Sequence, residues 1–108
     1  MAKLEKKFKG NFDNLLSTIE EGILHGSISS TLEDSSDFTS KDSRCSVRVF
    51  ERYSFFGKNR VSLSVTLFQD SSKMIHLSAI TSGGSQAIFY KLNTFGEEAF
   101  LDKLKEII

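Results

Sequence analysis

Three features of the sequence predict an α+β fold: an amphipathic helical stretch near the amino end, a second at the carboxyl end, and intervening segments in which apolar and polar residues alternate. The joint solution is two-layer, with both helices packed on one face of an antiparallel sheet of four to six strands. At 108 residues the chain reads as a single domain, 1–108. A domain of this size buries roughly 60–70% of its unfolded surface, enough for one core.

The opening "KLEKKFK" reads either as a short edge strand with Leu4 and Phe8 facing in, or as a lead-in to the helix. Lysines suit an edge, where they deter pairing with other chains. In "NFDNLLSTIEEGILHG", Phe12, Leu15, Leu16, Ile19 and Ile23 recur at spacings of three and four, which draws one apolar stripe along a helix. Asn11 or Asp13 can cap its start, and Gly26 suits the left-handed position that ends it. "SISSTLE" then reads as a short strand with Ile28 and Leu32 on one face, and the polar "DSSDFTSKDS" as a flexible, turn-rich segment.

From Cys45 the alternation is strand-like. "RCSVRVFERYS" directs Cys45, Val47 and Val49 to the core and Arg44, Arg48 and Arg52 to the other face. "RVSLSVTLF" directs Val61, Leu63, Val65 and Leu67 to one face and Ser62, Ser64 and Thr66 to the other, the pattern of a half-buried antiparallel strand.

In "SAITSGGSQAIFY", Gly83-Gly84 could open a phosphate loop or turn a hairpin. A phosphate loop leads into a helix amino terminus, whereas "QAIFYKL" alternates like a strand, so the hairpin is the preferred reading. It pairs Ala79 with Ile88, Leu77 with Tyr90 and Ile75 with Leu92, all apolar and all on one face. A short loop at Asp70-Ser71-Ser72 then pairs Leu67 with Ile75 and Leu63 with Ala79. In "NTFGEEAFLDKLKEII", Thr94 and Glu97 stand in capping-box spacing ahead of an inward stripe of Phe100, Leu101, Leu104, Ile107 and Ile108.

Charge is balanced, 14 basic residues against 14 acidic, which argues against a nucleic-acid binder, whose affinity rests on surplus Lys and Arg. The single Cys45 leaves no internal disulfide and no cysteine-rich zinc site, and no metal or cofactor is expected. With no apolar run long enough to be a secretory signal or a membrane span, the expected setting is cytoplasmic. His25 reads as a helix-end residue and His76 as a solvated strand residue. No serine sits in a nucleophile elbow, so no catalytic residue is assigned.

Two constellations merit functional readings. On the strand pattern Glu51 is directed to the core face, where an unpaired carboxylate is costly. A bulge or strand end would explain it; so would a ligand pocket between sheet and helices with Glu51 at its rim, using Tyr53, Arg60 and the turn Thr81, Ser82, Gly83, Gly84, Ser85 and Gln86. The face turned away from the helices is expected to gather Phe50, Phe68, Met74, Ile80 and Phe89 with Arg48, Arg52, His76 and Lys91. Either these are scattered singly, or they form an interface for a second copy or another protein. Arginines beside Phe50 and Phe89 also imitate a base-stacking sheet, against which the balanced charge counts.

The segments Phe50-Glu51-Arg52-Tyr53-Ser54, Asn59-Arg60-Val61-Ser62-Leu63, Ser78 to Ala87 ("SAITSGGSQA") and Asn93 to Glu98 ("NTFGEE") resemble those of a family of small bacterial proteins of unknown function. The resemblance spans roughly Phe12 to Leu104 and implies a bacterial cytoplasmic protein; it brings no activity, cofactor or catalytic residue. The expectation is therefore a non-enzymatic interaction module that self-associates, as a dimer, through its sheet. The alternative is a small-ligand-binding or catalytic domain built on the Glu51 pocket.

Overall fold

The computed structural model describes residues 1–26, 30–54, 59–83, 101 and 104–108. Its elements run β1 (Ala2–Phe8), α1 (Phe12–Gly26), β2 (Thr31–Ser40), β3 (Ser43–Ser54), β4 (Asn59–Gln69) and β5 (Ile75–Gly83). Five strands form one sheet in the order β1-β5-β4-β3-β2, and every adjacent pair is antiparallel. Residues 101 and 104–107 are helical. The molecule is thus mixed α+β, as its alternating and helical segments predict.

The amino-terminal segment is a strand and lies at the sheet edge, with Leu4 and Phe8 half-buried against the core. In α1, Asn11 is the cap: its Oδ1 accepts from the Asn14 backbone N–H at 2.9 Å, one of the donors a helix start leaves unpaired. Phe12, Leu16, Ile19 and Ile23 are buried and share one core with Val61, Leu63, Val65 and Leu67 of β4 and Ile75, Leu77 and Ala79 of β5. Leu101 and Leu104 belong to the same core. Each such side chain contributes about 1.5–3 kcal/mol when fully buried. Gly22 lets the carboxyl end approach α1 closely, since a Cβ there would lie 2.6 Å from Ile107 Cδ1.

Four expectations are corrected. First, the strands beside β5 are β4 and β1. A strand has two edges, and those of β5 are taken: Leu77 lies between Leu67 of β4 and Lys6 of β1, and Ala79 between Val65 and Leu4. Gly84, Ile88, Tyr90 and Leu92 themselves lie outside the described residues, as do Ile28 and the capping pair Thr94 and Glu97. Second, the β4–β5 register differs by two residues from the one expected: Leu67 pairs with Leu77, Val65 with Ala79 and Gln69 with Ile75. A shift of two preserves the faces. The loop accommodates it with a tight turn in which the Lys73 N–H donates to the Asp70 carbonyl at 3.0 Å and Lys73 adopts φ 68°.

Third, the faces of β3 are the reverse of those its apolar alternation suggests. Phe50, Arg48 and Ser46 lie opposite Leu63, Val65 and Leu67 and all three are buried, whereas Cys45, Val47 and Val49 turn to the other side. The physical reason is that an arginine carries an apolar stem and can be covered if its head finds partners. The helix supplies them. Arg44 lies over the Phe12 ring, 4.0 Å from its centroid, and pairs with Asp13 at 2.9 Å; Arg48 pairs with Glu20. Fourth, the polar stretch 34–40 is no flexible loop. Thr31–Ser40 is a regular strand paired to β3, with a register shift between Leu32 and Asp34, and every one of its residues is exposed. Backbone pairing to β3, closed by a two-residue turn in which Lys41 has φ 52°, organises a sequence with no hydrophobic pattern of its own.

Candidate functional site: the outer face of the sheet

Among the described residues, the partners of α1 in the sheet lie on one side of it, here called the inner face. The outer face is built in rows by the strand registers. One row reads Phe38, Cys45, Phe68, His76, Lys7, in the order β2-β3-β4-β5-β1; the next reads Ser36, Val47, Thr66, Ser78, Glu5; the third reads Asp34, Val49, Ser64, Ile80, Lys3. Phe38 is 64% exposed, Phe68 40% and Ile80 38%, while Cys45, Val47 and Val49 are half-buried. No described helix covers them.

Phe68 lies on the middle strand of the sheet, near one end of this surface. Its ring lies 6.2 Å from that of His76, tilted by 44°. On one side of it a depression of about 490 Å³ is lined by Glu5, Lys7, Thr66, His76 and Ser78. On the other a second, of about 300 Å³, lies against Phe38, Cys45 and Arg44. Both depressions border the Phe68 ring.

At the far end of the same face stand Glu51, Tyr53, Arg60, Ser62 and Ser82. Glu51 pairs in register with Ser62, and Tyr53 with Arg60. The Arg60 Nε donates to Glu51 Oε1 at 2.7 Å, and that carboxylate holds the guanidinium still more firmly protonated. The Ser62 hydroxyl donates to the Ser82 carbonyl at 3.2 Å. Reversal of the β3 faces turns Glu51 outward, away from the helix, onto a cation. Of the remaining candidate ligand residues, Thr81 is wholly buried on the inner face, its hydroxyl donating to the Ala2 carbonyl at 3.4 Å. Gly83 pairs with Val61. Gly84, Ser85 and Gln86 lie outside the described residues.

The expected interface set is divided. Phe68, His76 and Ile80 do share the outer face, and Met74 is half-buried just before β5. Phe50, Arg48 and Arg52 belong to the inner face, opposite Leu63, Val65 and Val61; Phe50 is wholly buried. Phe89 and Lys91 lie outside the described residues. The arginine-and-phenylalanine group that imitates a base-stacking sheet is accordingly not gathered on an exposed face.

One cluster escapes sequence reasoning altogether. Arg48, 8% exposed, donates from Nε to Glu20 Oε2 at 3.3 Å and from Nη1 to its neighbour's carbonyl, Val47 O, at 3.0 Å. Its Nη1 also lies 3.1 Å from Asp37 Oδ1. Ser46 donates to the same carboxylate at 2.6 Å. Helix α1, β2 and β3 are thereby tied through one guanidinium. The Ser46 hydrogen bond, with help from Arg48, holds the Asp37 carboxyl below its ordinary value of 3.8. Only the recurrence of arginine at every fourth position from 44 to 52 could have signalled it. Among the described residues no three His, Cys, Asp or Glu side chains are gathered to hold a metal ion, and no helix is long and apolar enough to cross a membrane.

The molecule is thus a small α+β protein whose antiparallel sheet carries a core on one face and a partly apolar surface on the other. The chain belongs to a family of unknown function, DUF6054, whose model matches residues 1–108. No curated protein and no solved structure matches it.

Proposed function

We propose that this chain is a non-enzymatic protein-interaction module that self-associates through the outer face of its sheet. The observation that carries the reading is the exposure of Phe38, Phe68 and Ile80 on one face, continuous with Val47 and Val49. A two-sided antiparallel sheet that faces water ordinarily presents polar side chains there, and contiguous apolar surface of this kind marks contact with another protein. A second helical layer confined to the inner face, formed by α1 and the carboxyl end, would leave the outer face for that contact. The lone cysteine fits a reducing, cytoplasmic setting in a bacterial cell.

Sedimentation equilibrium with the single variants Phe68→Ser and Ile80→Ser tests it. The wild-type chain is expected to dimerise and both variants to shift toward monomer with folding intact by circular dichroism. A wild-type chain that stays monomeric at all concentrations overturns the reading.

A further inference from the structure

The outer face is self-complementary about one axis only, and this assigns the geometry of the assembly; the inference rests on the self-association proposed above. We infer that two copies pack face to face about a twofold axis running along β4, parallel to the strands, so that each basic β1 edge lies over the partner's acidic β2 edge.

The argument comes from the rows. β4 is the middle strand of five, so a twofold along it superposes each row on its own reverse. In the third row, Lys3 then stands over Asp34 of the second copy, Ile80 over Val49, and Ser64 over Ser64. In the first row, Lys7 stands over Phe38, His76 over Cys45, and Phe68 over Phe68. Opposite charges meet at both rims, a cation meets an aromatic face, Phe68 meets its own copy, and Ile80 meets Val49 between the rims. Turned through a right angle, the axis would lay β1 over β1 and set Lys3 against Lys7 of the other copy, a like-charge contact that costs affinity. Stacked sheets lie roughly 10 Å apart and near −30° to one another, which lysine side chains can bridge at the rim.

The area is sufficient. Five strands about 4.8 Å apart and about nine residues long offer a face of roughly 700 Å². That is close to the about 800 Å² per partner of a specific, stable interface.

A charge-swap experiment tests the axis, read by native mass spectrometry on the full chain with one variant isotopically labelled. Lys3→Glu alone should set Glu against Asp34 twice per dimer, and Asp34→Lys alone should set two lysines together; each is expected to weaken its homodimer about tenfold or more. Mixed, the two variants restore both opposite-charge contacts, so the heterodimer is expected to recover wild-type affinity. Homodimers of wild-type affinity from either variant, or a mixture without preference for the heterodimer, would overturn the axis. If in that case Phe68→Asp still dissolves the wild-type dimer, only the axis falls and the self-association stands. A wild-type chain that never dimerises removes both.

Discussion

The guanidinium of Arg48 on β3 reaches Glu20 on α1, its Nε 3.3 Å from Oε2, and it does so from a position only 8% exposed. Glu20 and Asp37 retain more contact with water than the arginine, so Arg48→Ala leaves two carboxylates that solvent still screens, and it should cost about 1–3 kcal/mol, from the lost packing of the arginine stem and its lost hydrogen bonds. Glu20→Gln keeps the remaining acceptors of Arg48 and should cost less than half of that. Urea unfolding of both variants measures the difference, and equal effects would contradict the geometry.

Stability at acid pH follows from Asp37. Its folded-state carboxyl is held below the ordinary 3.8, by Ser46 first and Arg48 second. A depressed folded value means stabilisation that is fully present above the unfolded value and lost as pH falls through the folded one. Asp37→Asn should therefore destabilise at neutral pH and flatten the loss of stability below about pH 4. The effect is small because the carboxylate stands largely in water, where screening weakens it. Denaturation curves at several pH values would reveal it as a shallower acid limb.

Gly22 and Ile107 set a limit on packing. Gly22→Ala should gain about 1 kcal/mol of helix propensity, yet its Cβ would lie 2.6 Å from Ile107 Cδ1, and overpacking typically costs about 1–3 kcal/mol. The net expectation is destabilisation. In the Ile107→Ala background the same substitution should become neutral or stabilising. A double-mutant cycle by thermal or urea denaturation reads this coupling directly.

Lys73 occupies left-handed backbone at φ 68°, where an L side chain costs roughly 1–2 kcal/mol. Lys73→Gly relieves that strain but adds about 0.4–1 kcal/mol of unfolded-chain entropy. A gain of up to about 1 kcal/mol is expected, whereas Lys73→Val should lose stability. Melting temperatures of the two variants should therefore move in opposite directions.

What the sequence makes legible is whatever hydrophobic periodicity encodes. The stripe Phe12, Leu16, Ile19, Ile23 and the alternation Val61 to Leu67 are both found as read, and of the two readings open for Leu4 and Phe8 the edge strand is the one found. β3 was illegible because its two faces differ less in burial than in partnership: valines turn outward and arginines turn in, and only the acids on α1 decide which. β2 was illegible because a strand exposed at every residue has no pattern to show. The neighbours of β5 were illegible for a topological reason. The pairing of β5 with β1, distant in sequence, takes the edge that a local partner would need. Of the candidate site, Phe68, His76 and Ile80 were read on the right face. Phe38, Val47 and Val49 were missed, the last two through the reversal of β3.

β2 also tells how this molecule avoids growing without end. Its outer backbone edge is a row of donors and acceptors ten residues long, uninterrupted by proline, onto which further strands could be laid. Three carboxylates, Glu33, Asp34 and Asp37, and the irregularity at Leu32 to Asp34 stand guard along it. Acidification weakens this guard, and Asp37, whose carboxyl Ser46 and Arg48 hold below its ordinary value, keeps its charge to lower pH than a free aspartate. The residue that steadies the fold thus also helps deter other chains from pairing with this border of the sheet.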